Sequence, residues 1–166
     1  MKIKNMIFIG ILLSVFLIGI SAISADDDGN IFTKDFTIGE ENFTTPIGIN
    51  NLKSNNLNAS FTKEGYIFDM KKISDDDYNK YKKWIDNKKN DNNAPVEKFT
   101  QSGFINIYKT QDNNNTILFM LFKKNSDKYY AQIHGDASHN NLDTMGEILK
   151  DFTTENLLSH IQELGE

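Results

Sequence analysis

The chain has 166 residues with no cysteine and no arginine, and its 23 acidic residues against 18 lysines give a formal charge of −5. Stability must come from packing rather than disulfides. Without arginine forks and with a net acidic balance, a nucleic-acid partner is excluded, and an anionic lipid surface is a poor match.

The first 25 residues differ from the rest. Lys2 and Lys4 precede an uncharged apolar run over 6–20 (MIFIGILLSVFLIGI), then small residues over 21–25 and the acidic triplet Asp26, Asp27 and Asp28. This is the charged, apolar and small-residue order of a secretory signal, with cleavage expected after Ala25. The competing reading is an uncleaved anchor, since residues 6–25 are long enough to cross a bilayer core. Both readings keep the lysines inside and deliver the following domain to the extracytoplasmic face. Membrane attachment is then expected only through this segment, if it is retained.

Residues 26–30 read as an acidic tail, and 31–166 as a single domain. Residues 31–38 (IFTKDFTI) predict a short strand, and 39–56, interrupted by Pro46, a loop with a short strand or turn. Leu57, Ala59 and Phe61, then Tyr66, Phe68 and Met70, alternate with polar residues around Lys63-Glu64-Gly65. That is a β-hairpin with one apolar face. Ser74 followed by three aspartates predicts a helix start, with Asp77 placed to return the capping bond. Tyr78, Tyr81, Trp84 and Ile85 form its apolar stripe. Aromatic residues at this spacing suit a core better than a carbohydrate-stacking patch. Residues 91–95 (DNNAP) read as a linker.

The second half predicts a meander: 104–109, a turn over 112–115, 117–122 and 128–134. The run ILFMLF is apolar on both faces, which places it centrally with cover on each side. Phe119 and Leu121 should share one face, and Leu118, Met120 and Phe122 the other. Leu142, Met145, Ile148, Leu149 and Phe152 form a helical stripe behind the cap candidates Asn140 and Asn141; Leu157, Leu158, Ile161 and Leu164 form another after Thr153 and Thr154.

These elements predict an α+β domain. Its expected core is an antiparallel sheet of about five to six strands, with a helix inserted after the first hairpin and one or two C-terminal helices on the sheet. Between residues 104 and 152, the order ILFMLFKKNSDKYYAQI, HGDASHNN, LDTMGEILKDF resembles the PsbP-like fold of photosystem accessory proteins and exported bacterial domains. It is also similar to small secreted proteins of methanogenic archaea. The resemblance implies accessory binding rather than catalysis and transfers no site residue.

One loop concentrates reactive side chains. His134, Asp136 and His139 offer two imidazoles and a carboxylate within six residues, a candidate metal set. The competing reading is a strand-to-helix connector. Ser138 beside His139 lacks the convergence of a catalytic triad. Residues 112–123 lack the glycine and glutamate of an EF-hand loop. Asn42, Asn58 and Asn114 begin glycosylation triplets, with Asn114 in the best context, a loop tip.

The functional expectation is a non-catalytic binding or accessory domain at the cell envelope, with an unidentified envelope or extracellular partner and no cofactor. The alternatives are a metal-binding protein or metal-dependent enzyme using His134, Asp136 and His139, and a secreted inhibitor or interaction module.

Overall fold

The computed structural model describes residues 32–87, 96–112, 115–135 and 138–158. The expected signal segment with Ala25, the expected acidic tail and 91–95 linker, Asn114, Asp136, Ile161 and Leu164 lie outside the described residues. Among the described residues, no helix is long and apolar enough to cross a membrane.

Among the described residues, nine strands and two helices follow one another as β1 (Asp35–Ile38), β2 (Glu41–Thr44), β3 (Asn50–Ser54), β4 (Asn58–Lys63), β5 (Tyr66–Ile73), α1 (Asp75–Asp86), β6 (Glu97–Ser102), β7 (Ile105–Asp112), β8 (Asn115–Lys124), β9 (Asp127–His134) and α2 (Leu142–Thr153). A π-helical turn, Thr154–Leu158, continues α2. Strands β3 to β9 form one antiparallel sheet in the order β3-β4-β5-β9-β8-β7-β6, and β1-β2 form a separate ribbon.

The α+β class is as expected, but the strand count is larger. The main sheet has seven strands, not five or six, because β3 and β6 were hidden in polar sequence. Neither edge carries an apolar alternation, since an edge strand needs only partial burial on one face. Both edges are also irregular: the register shifts between Asn50 and Lys53 on β3 and between Lys98 and Thr100 on β6. Such bulges blunt an edge against pairing with other chains. The hairpins β1-β2 and β3-β4 precede β4-β5, so α1 follows the third hairpin rather than the first.

Two meanders build the sheet. β3-β4-β5 ends at α1, the chain then crosses to the far edge, and β6-β7-β8-β9 returns until β9 pairs with β5. The β4-β5 turn is tighter than the three-residue turn expected, because Lys63 pairs directly with Tyr66. Glu64 (φ 53°) and Gly65 (φ 82°) alone span it, both in the left-handed region that such a two-residue turn demands.

Burial on both faces makes a three-layer packing. On one face, Phe61, Phe68, Met70, Leu118, Met120, Phe122, Tyr129 and Ile133 pack with Met145, Leu149 and Phe152 of α2 and with Phe36 and Phe43 of the ribbon. On the other, Tyr81 and Ile85 of α1 pack with Val96, Phe119 and Tyr130, with Trp84, Tyr108 and Leu121 partly buried beside them. The alternation expected along β8 is therefore realised residue by residue, and the aromatic stripe of α1 is largely core.

The helix starts follow their capping chemistry. Ser74 Oγ accepts from the Asp77 amide at 3.1 Å and donates to the Asp77 carboxylate at 2.9 Å. The hydroxyl's donation, with help from Lys80, holds the Asp77 carboxyl below the usual range. Asn141 caps α2 by accepting from the amides of Asp143 (2.9 Å) and Thr144 (3.2 Å). Gly146 lets α2 approach closely, because a Cβ there would lie 2.9 Å from the Phe99 ring.

As far as Leu158, the C-terminal stripe does not begin the separate helix expected after Thr153 and Thr154. Both hydroxyls instead donate back to the Lys150 carbonyl, at 2.8 and 2.9 Å. Side-chain donors thus satisfy a carbonyl of the last α-helical turn, and the chain passes into the wider turn unbroken.

Candidate functional site

The histidine loop is split by the sheet. His134 ends β9 on the α1 side, where its Nε2 lies 3.5 Å from the Asp69 carboxylate of β5. His139 stands against the β4-β5 turn, its ring 5.9 Å from that of Tyr66 and edge-on to it. Tyr66 belongs to the core on the α2 side, so the two imidazoles face opposite sides of the sheet. Glycine makes the packing possible: a Cβ on Gly65 would sit 2.5 Å from the His139 ring, and one on Gly135 would sit 1.8 Å from the His139 carbonyl oxygen. Ser138 Oγ lies 3.0 Å from His139 Nδ1, a local contact between neighbours.

Among the described residues, no set of three His, Cys, Asp or Glu side chains is placed to hold a metal ion. The geometry instead pairs His134 with Asp69, which sequence reasoning passed over as a polar position of the hairpin. A zinc titration should give weak binding that the double substitution His134→Ala, His139→Ala leaves unchanged. Micromolar or tighter binding abolished by that pair would show that both rings reach one ion.

Asp69 sits in a polar set on the α1 side of the central strands. Its cross-strand neighbour Gln132 is buried and accepts from the Tyr130 hydroxyl at 2.9 Å. The Gln132 amide nitrogen and the buried Thr110 hydroxyl have no hydrogen-bond partner. Burial raises Tyr130 well above the usual phenol range, so its proton stays available for that bond.

A second feature forms between α1 and the β6-β7 turn. Tyr81, Trp84 and Ile85 turn into the sheet, and Tyr78, Lys82 and Asp86, spaced four apart, make a row along the flank of the helix. Facing them are Phe104, Ile105, Asn106 and Tyr108, which with Leu121 and the row enclose a cleft of about 180 Å³. Gly103, at φ 57°, supplies the left-handed step of the turn that presents Phe104.

The walls of this cleft are fixed from behind. Tyr108 stacks on Phe119 at 5.5 Å, and Phe119 stacks on Trp84 at 5.2 Å. Tyr78 is held by two ammonium groups, those of Lys123 and Lys128, each 5.5 Å from its ring centre. Lys128 is fixed in turn by Asp75 at 2.6 Å. Phe104 is the exception. It remains 60% exposed, although its neighbour in space Ile85 is buried. Phe32 at 66% and Leu57 at 60% are as exposed elsewhere on the surface; what sets Phe104 apart is its place at the mouth of a cleft that also holds polar side chains.

The sequence signal for this site was faint. Phe104 reads as the first residue of the strand over 104–109, and Lys82 and Asp86 fall outside the apolar stripe of α1. No family model, no curated protein and no solved structure matches the chain.

Proposed function

We propose that the mature chain is a non-catalytic binding domain acting at the outer side of the cytoplasmic membrane, with the α1/β6-β7 cleft as its ligand surface. The single observation that carries this reading is the exposed Phe104 ring at the mouth of a cleft whose Tyr108 wall is stacked on Phe119. Binding sites combine an apolar surface with a few convergent polar groups on a fixed scaffold. Here Asn106, Lys82 and Asp86 supply the polar groups, and the Tyr108-Phe119-Trp84 stack supplies the rigidity. The signal-like residues 1–25 support the outer location.

Co-sedimentation of the mature chain with a native envelope fraction tests this reading. The parent should sediment with the envelope, and Phe104→Ser should reduce the bound fraction several-fold while leaving the unfolding transition unchanged, since the ring is mostly exposed. Equal sedimentation of parent and variant would remove the cleft from the account.

A further inference from the structure

We propose that the cleft takes a neutral saccharide chain, one ring at a time. This deepens the reading of the cleft as the ligand surface and rests on it. A sugar ring has apolar C–H faces and a rim of hydroxyls that both donate and accept. The cleft matches each part. Phe104 and Tyr108 offer aromatic surface, whose electron-rich faces attract polarised C–H groups. Asn106 carries an amide that donates and accepts, Lys82 only donates, and Asp86 only accepts. Together they cover both requirements of a hydroxyl rim.

Charge narrows the class further. Lys82 and Asp86 stand one helical turn apart with opposite signs, so the charged side chains lining the cleft cancel, while Lys123 and the Asp75-paired Lys128 engage the Tyr78 ring beside it. The chain as a whole carries −5, which disfavours a polyanionic glycan. Size agrees: about 180 Å³ is well below the range for a drug-sized molecule, so only a short part of a longer chain can sit in it. An apolar peptide would fill the space over Phe104, but it would strip water from Lys82, Asp86 and Asn106 without replacing those bonds.

The test uses the full mature chain, residues 26–166, isotopically labelled and titrated with short uncharged hexose and N-acetylhexosamine oligomers. A sulfated oligosaccharide and an apolar peptide serve as comparators. At least one neutral oligomer should shift the amide signals of Tyr78, Asn106 and Tyr108, with a dissociation constant of roughly 0.1–1 mM. Phe104→Ser should weaken that binding by about three- to tenfold through loss of the stacked ring. Asn106→Ala should weaken it as well, and the comparators should leave these signals in place. Three results would overturn the proposal: no neutral oligomer acting at these residues, shifts that survive Phe104→Ser, or the peptide binding there instead. If the oligomers fail while envelope material still shifts the same signals, the saccharide class falls and the binding cleft stands. If neither shifts them, both fall.

Discussion

Replacing Phe119 with alanine should lower the unfolding free energy by about 3–5 kcal/mol, the range for truncating a fully buried aromatic side chain. Phe119 is completely buried on β8 and lies at the centre of an aromatic cluster. The rings of Trp84, Tyr108 and Tyr130 lie at 5.2, 5.5 and 5.6 Å from it. Three ring contacts disappear at once, and Trp84 from the helix above cannot fall into the space without dragging α1. The measurement is a urea or thermal transition followed by tryptophan fluorescence, which is clean because Trp84 is the only tryptophan. A loss below about 1 kcal/mol would mean that α1 does not cover this face of the sheet.

Replacing Asn156 with alanine should cost roughly 2–4 kcal/mol, although the side chain is neutral and near the end of the described chain. Asn156 is buried, and its amide behaves as a short piece of strand. Its Oδ1 accepts from the Thr44 amide at 2.6 Å, and its Nδ2 donates to the Thr44 carbonyl at 2.7 Å and to the Phe152 carbonyl at 2.8 Å. This side chain joins the β1-β2 ribbon to the turn after α2. Alanine leaves the Thr44 backbone groups facing a partly buried gap without partners. Because Phe43, next in sequence, stacks with Phe36 and Phe152 at 5.6 and 6.2 Å, loosening the ribbon should spread into the α2-side core. Hydrogen exchange should show lost protection at Thr44. An unchanged transition with Thr44 still protected would mean that ring packing alone holds the ribbon.

The periodic parts of this architecture were legible in the sequence. The alternation from Leu57 to Met70, the doubly apolar run of β8 and the Ser74 and Asn141 caps each follow from a local physical rule. The parts that escaped are those where tertiary context supplies the reason. β3 and β6 are polar edge strands whose partners, not their own pattern, make them strands. The wider turn after α2 depends on where two threonine hydroxyls point. The histidine loop looked like one cluster because its residues are close in sequence; Gly135 and the turn at Gly65 let His139 pack away from His134. Asp69 and the cleft were invisible for a related reason. Asp69 meets Gln132 and His134 only after β9 has returned to pair with β5, and Phe104 meets α1 only after the crossover.

If the α1/β6-β7 cleft is where the protein meets its ligand, binding must register at the residues that line it. Amide chemical shifts of labelled residues 26–166, recorded during titration with solubilised native envelope material, test it directly. Perturbations should concentrate at Tyr78, Lys82, Asn106 and Tyr108 and be lost in Phe104→Ser. Perturbations confined to another surface, such as the β4-β5 turn beside His139, or none at all, would contradict it.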